Sequence, residues 1–425
     1  MERIPQEIAN AIVDPVVFGD TAKLHETYAW LRANMPLAMA EPEGFDPFWV
    51  VTRHADILEV SRQNNLFHSA DRPTTIVDRQ GDAFVRKLTG GSPHLVRSLV
   101  QMDAPDHPKY RALTQSWFMP QNLKKVEGRV REIARAAVER FLEKGGTAEF
   151  VSDLALGYPL HVVMDILGVP PEDEPRMLRL TQELFGAQDP DQARMMITMM
   201  DTEQIALMMK ATVDDFQSYF GVISEERRRN PRDDLATVLA NATIDDAPIS
   251  DFEAMSYYII VATAGHDTTS SSTAGAMWAL AENPDQFDLV KRDPSLIPGL
   301  VDEAIRWTTP VKTFMRSATE DTELAGRRIA KDDWLMLCYA SGNRDETVFE
   351  DPFRFRVDRK PNKHLAFGYG AHLCLGQHLA KMEMRILFEE LLPRLKSVEL
   401  AGEAKVSQSS FVNGPKVLPI RYEIA

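Results

Sequence analysis

The chain has 425 residues, of which 44% are hydrophobic and 8% aromatic, enough apolar material for a sizeable core. A formal net charge of -15 speaks against a nucleic-acid partner, because affinity for a phosphate backbone comes from counterion release and needs a local excess of Lys and Arg. The two cysteines, Cys338 and Cys374, exclude a disulfide framework, a zinc site built from several thiolates and a four-cysteine iron-sulfur cluster. Any thiolate chemistry must therefore come from a single sulfur. The opening residues carry charge and a proline where a secretory signal needs a long apolar stretch, and the most apolar run, residues 257–265, is too short for a bilayer of ~30 Å. A cytoplasmic protein without a membrane partner is expected.

In chain order, the first strand signal lies at residues 48–52. After Asp103-Ala104-Pro105, His107 and Arg111 stand four apart and share one helix face. Residues 127–142, the stretch after Pro171 and residues 201–229 have amphipathic helical spacing. Ser250-Asp251-Phe252-Glu253 is spaced as a capping box, and the apolar run behind it continues to Asn283-Pro284. At ~1.5 Å per residue this helix is a rod of about 50 Å, long enough to cross a domain. Residues 257–262 are apolar on every face, as in a helix buried all round.

Ala264-Gly265-His266-Asp267-Thr268-Thr269 interrupts that pattern with groups that each cost something in a buried helix. Gly265 allows a local groove, and a carboxylate beside a threonine hydroxyl, Asp267-Thr268, can relay protons. Hydroxyls that bond back to helix carbonyls are the plainer account, and it suits residues 269–273. Further on, Glu303 and Arg306 share a face of a short helix ending at Thr309-Pro310; by itself this is a weak motif, worth ~0.5 kcal/mol or less on a surface. Strand signals return between residues 322 and 339 and at 397–424. No repeat, low-complexity tract or Gly/Ser linker breaks the chain, so one domain over residues 1–425 is expected, mainly α with small peripheral β-sheets.

The most specific motif is Phe367-Gly368-Tyr369-Gly370-Ala371-His372-Leu373-Cys374-Leu375-Gly376, a glycine-rich turn placing one cysteine ahead of a helix that runs to about residue 392. A helix N-terminus favours a thiolate, the form that ligates iron, and the glycines let the backbone approach a flat macrocycle. A buried structural cysteine is the bland alternative. A dinucleotide loop fails, since Leu373 holds the third glycine position and no βαβ unit surrounds it.

This decapeptide resembles the cysteine-loop signature of the cytochrome P450 family at every signature position, and the other landmarks follow in the family's order over nearly the whole chain. The resemblance implies the P450 fold, a triangular prism with a long central helix over haem b, with Cys374 as the axial iron ligand. It implies Asp267 and Thr268 as the acid-alcohol pair, Gly265 and Phe367 beside the cofactor, and His107, Arg111, Arg316 and His372 on the two haem propionates. Ordinary surface charge remains a credible account of His107. Glu303 and Arg306, with Arg359, resemble the family's structural Glu-x-x-Arg lock.

The resemblance further implies a monooxygenase that uses dioxygen, with electrons from an iron-sulfur ferredoxin and its NAD(P)H-dependent reductase, because this sequence has no room for a flavin domain. Residues 353–364 hold Arg354, Arg356, Arg359, Lys360 and Lys363 against one acid, and with Lys109 and Lys381 they could form a basic docking face; part of that charge could be structural. The pocket is expected from residues 88–100, 195–209 and 260–264, and from Val261, Ala264, Val311, Thr313, Phe411 and Val412, which suits a small hydrophobic substrate. Residues 158–164, 262–272 and 376–381 are similar to those of a bacterial member acting on α-terpineol, implying a monoterpenoid or alkylbenzene such as α-terpineol or p-cymene. A peroxide-driven peroxygenase and a non-catalytic haem sensor are the rivals, and neither needs an Asp-Thr relay.

Overall fold

The capping box opens the central helix: Ser250 Oγ accepts from the Glu253 N–H at 3.2 Å, and the Glu253 carboxylate accepts from the Ser250 N–H at 3.1 Å. The helix spans Asp251–Glu282, and Pro284, which cannot extend it, follows the C-cap Asn283. The computed structural model describes residues 2–185, 189 and 201–425. Helices Gly157–Leu167, Thr202–Arg229, Ile297–Thr308 and Gln377–Leu391 pack around the central helix, and Gln377–Leu391 also lies along Pro120–Leu142. Tyr257, Tyr258 and Ile259 are buried among them, whereas Ile260 and Val261 are partly exposed. The burial all round expected of residues 257–262 therefore holds on one side of the helix only.

Beside the helices lies a five-stranded sheet, in the order Leu37–Ala40, Phe48–Val51, Trp334–Cys338, Thr313–Ala318 and Phe67–His68, antiparallel except for the Phe48–Val51 and Trp334–Cys338 pair. Alternate residues of its central strands enter two separate cores. Phe48, Val50, Trp334, Met336 and Cys338 pack with Leu24, Tyr28 and Leu31, and Trp49, Val51, Leu335 and Leu337 pack with Ile57 and Leu365. With both faces covered, the strands at 37–40 and 313–318 lack polar alternation, so sequence periodicity does not reveal them. The smaller sheets include Leu395–Leu400, Pro419–Ile424 and Thr147–Glu149. The helix expected from residue 127 starts seven residues earlier, with Pro120 in its first turn, where a missing N–H costs nothing.

Cys338 is fully buried in one of these cores, where desolvation pushes its thiol up to about 12. It is inert packing material. No helix among the described residues is long and apolar enough to cross a membrane.

Candidate active site

The cysteine loop is built by its own backbone. The Cys374 N–H donates to the Phe367 carbonyl at 2.8 Å, the Gly368 N–H to Leu365 at 2.8 Å and the Leu373 N–H to Gly370 at 3.1 Å. Gly368 and Gly370 sit at φ 68° and 71°, and a Cβ on Gly370 would meet the Ser61 carbonyl oxygen at 2.1 Å. Both glycines serve the turn, and Gly370 also its contact with helix His54–Arg62.

Cys374 lies two residues ahead of Gly376, the N-cap of Gln377–Leu391. It is deep among protein atoms yet partly accessible, so its sulfur faces an internal space. The helix N-terminus was expected to depress its pKa. Instead burial pushes the thiol up, and the N–H groups of Gly376 and Gln377 and the charge of Arg111 offset this only in part. A thiolate here needs a further cation beside it, which is the condition a metal ion meets.

Near that cysteine two arginines and two histidines converge. The His107 and His372 rings stand 4.4 Å apart, and His372 Nε2 approaches Asp103 at 3.7 Å. His107 is held down at about 4 by burial first, then by the charges of His372, Arg111 and Arg316. His372 is lowered by burial, against the pull of Asp103 and together with Arg316 and Arg111. Buried Arg316 donates to the Met315 carbonyl at 2.7 Å, and among the described residues neither Arg316 nor Arg111 is paired with a carboxylate. His107 Nε2 is buried without a partner. Two arginines without a carboxylate partner, beside two imidazole rings able to donate hydrogen bonds, fit a ligand with two carboxylates, so these residues fit a haem with its propionates.

On the central helix, Ala264 is exposed although its neighbours Ala262, Thr263 and His266 are buried, so the helix opens there onto an internal space. Thr268 Oγ donates to the Ala264 carbonyl at 2.8 Å, which extends carbonyl back-bonding to this threonine and leaves its lone pairs to accept from the pocket. Asp267 Oδ2 is buried with no partner. At Gly265 a Cβ would lie 2.8 Å from Val163 Cγ2, so the glycine also allows close packing of helix Gly157–Leu167. His266, to which no sequence motif assigns a role, is fully buried with Nδ1 3.1 Å from Asp267 Oδ1. A histidine directly after the apolar run of the helix, next to an acid, is the signal that marks it.

Of the expected pocket residues, Val261 is partly exposed, Val311 and Val412 form a β-bridge, and Phe411 packs edge-on to Phe314 at 5.1 Å between ring centres. Thr313 is buried, with its hydroxyl donated to the Ser410 carbonyl at 2.9 Å, so it presents no free donor. Residues 195–200 of the expected methionine-rich wall lie outside the described residues.

Glu303, Arg306 and Arg359 form a network buried from solvent. Arg306 makes two bonds of 2.8 Å to the Glu303 carboxylate, and Arg359 Nε reaches the same group at 3.0 Å. Arg306 also donates to the Asn343 and Pro352 carbonyls, and Arg359 to Glu350, Asp351 and Arg354. The network thus ties helix Ile297–Thr308 to the segment that leads into the cysteine loop.

The Cytochrome P450 family model matches residues 67–293 and 295–417. The chain belongs to the cytochrome P450 family. It is a haem b-binding monooxygenase with the P450 fold. It is 48% identical to Cytochrome P450-terp from a Pseudomonas species, over 99% of this chain and 98% of that one. It is 33% identical both to a linalool 8-monooxygenase of Pseudomonas putida (93% of this chain, 95% of that one) and to a steroid C26-monooxygenase of Mycolicibacterium smegmatis (93% and 90%). The crystal structure of CYP108D1 from Novosphingobium aromaticivorans superimposes with a TM-score of 0.93 at 49% identity, covering both chains entirely.

Proposed function

We propose that this P450 hydroxylates a small hydrophobic molecule, a monoterpenoid or alkylbenzene of the α-terpineol or p-cymene class, with electrons from a ferredoxin. Cys374 would ligate the haem iron, Arg111, Arg316, His107 and His372 would hold the propionates, and Asp267 with Thr268 would supply protons. Bound haem supplies the dioxygen chemistry, and a thiolate ligand favours O–O cleavage. The protein's own part is to exclude water with the apolar groups of Val261, Val311 and Phe411 and to deliver protons at the Thr268 hydroxyl.

The observation that carries the reading is Cys374 itself: a partly accessible cysteine, destabilised as a lone thiolate, near two arginines that lack a carboxylate partner among the described residues. For the substrate, 48% identity to Cytochrome P450-terp and the match to a linalool 8-monooxygenase support a terpenoid, while the steroid enzyme at 33% marks how far substrate size varies at that distance. Two spectra test it. Cys374→Ser should abolish the thiolate-type spectrum of the reduced carbon-monoxide complex, and an unchanged spectrum refutes the ligand assignment. Optical titration of the ferric protein should show water leaving the iron with monoterpenes or alkylbenzenes, and no response across such a panel refutes the substrate class.

A further inference from the structure

The geometry of the central helix points to His266 and Asp267 as a dyad that shares one proton, the proton Asp267 passes toward Thr268; His266 is its positioning residue. This rests on the proton-delivery role proposed above. His266 Nε2 lies 3.1 Å from the carbonyl oxygen of Leu156, which joins the π-turn Val151–Ala155 to helix Gly157–Leu167. A carbonyl only accepts, so Nε2 carries hydrogen. In the neutral ring Nδ1 then presents a lone pair, and it lies 3.1 Å from Asp267 Oδ1. An ionised carboxylate would set two lone pairs against each other in a buried site. One proton between them removes the conflict, whether the pair exists as imidazolium and carboxylate or as imidazole and carboxylic acid, and in both forms its net charge is zero.

Nothing else among the described residues performs that neutralisation. Asp267 has no other cationic partner, and no other carboxylate lies within ion-pair distance of His266. The titratable groups on the packed segments are committed elsewhere: Asp153 to Lys144, His161 to Glu174, Asp165 to Arg129 and Glu303 to Arg306. The Tyr158 hydroxyl donates to the Glu383 carbonyl, and the buried Glu383 carboxyl, whose pKa burial pushes well above the ordinary carboxylate range, has no partner. Neither His266 Nδ1 nor Asp267 Oδ2 makes an aligned hydrogen bond, so the carboxyl is held close without being locked and can turn toward Thr268. Each delivery removes one proton and leaves the dyad at a net charge of one negative. Because Nε2 ends on a carbonyl, the replacement proton must return from solvent on the Asp267 side.

The test uses the holoprotein as its reduced carbon-monoxide complex, with 15N-labelled histidine for NMR and infrared difference spectra against Asp267→Asn. At neutral pH the expected result is either a doubly protonated His266 ring or a carboxylic-acid band that Asp267→Asn abolishes; a neutral ring beside an ionised carboxylate overturns the proposal. In turnover with ferredoxin, reductase and reduced nicotinamide, His266→Gln keeps a donor toward Leu156 but carries no titrating proton. It should lower product formed per nicotinamide consumed several-fold, raise hydrogen peroxide release and change the solvent isotope effect, with substrate affinity unchanged. If Asp267→Asn itself matches wild type in coupling and isotope effect, the delivery role and the dyad both fall. A defect in Asp267→Asn with wild-type behaviour in His266→Gln overturns the dyad alone.

Discussion

Glu303 shows what a single side chain can be asked to hold. Its carboxylate, fully buried, accepts from Arg306, Arg359 and Asn362 and from the Arg356 N–H. The pair that reads as a weak surface motif is thus an electrostatic junction in which one anion faces two guanidinium groups. Glu303→Gln keeps the shape and removes the charge, leaving two buried cations without compensation. Breaking such a pair costs about 3–5 kcal/mol, so urea denaturation of the holoprotein should show a loss of that order, while Arg356→Gln, whose ion pairs to Glu350 and Asp358 are more exposed, should cost less than about 1 kcal/mol. His107 supplies a second test at this scale. Its pKa in the fold, about 4, lies below the unfolded value of ~6.5, so between those values the unfolded chain binds a proton that the folded one does not. Stability of the haem-free protein should therefore fall as pH drops from ~6.5 toward 4. His107→Phe should flatten that fall, and equal slopes for the two proteins would refute the buried neutral histidine.

At the scale of elements, the central helix and Gly157–Leu167 pack closely because Gly265 has no Cβ to meet Val163. Gly265→Ala should destabilise the protein by about 1–3 kcal/mol through overpacking, and Val163→Ala in the same chain should recover most of it, a coupling that a double-mutant cycle measures. This contact also shows where legibility in the sequence stops. The capping box, the order of helices and the cysteine loop could be read because each is local chemistry within a few residues of itself. The purpose of Gly265 and the bond from His266 to Leu156, 110 residues away, depend on which helix lies across the central one. The strand Thr313–Ala318 was hidden for the same reason, since burial on both faces erases the alternation that marks a strand. For Cys374, the helix terminus pointed to a depressed pKa, and only the depth of the site shows that desolvation is the larger effect.

Across the whole molecule, charge is divided unevenly. The formal net charge is -15, yet the stretch at 353–364 that leads into the cysteine loop is cationic. Of the cations there and beside it, Arg359 is buried on Glu303, while at the surface Arg356 pairs with Glu350 and Asp358, Lys381 with Asp302 at 2.8 Å, and Lys109 with Asp245. Arg354, Lys360 and Lys363 remain exposed without an ion pair among the described residues. An acidic ferredoxin would be repelled by most of this molecule and attracted by that patch, which favours one orientation of approach. Lys360→Glu with Lys363→Glu should then raise the KM for ferredoxin by about tenfold at low salt, with the difference from wild type shrinking at high salt as screening sets in. Lys109→Glu, made on a cation already engaged by Asp245, should change it far less. Substrate affinity, read from the optical titration, should be the same in all three proteins, because the reversed charges lie outside the pocket. Equal ferredoxin KM values for wild type and the double reversal would show that electrons enter by another face.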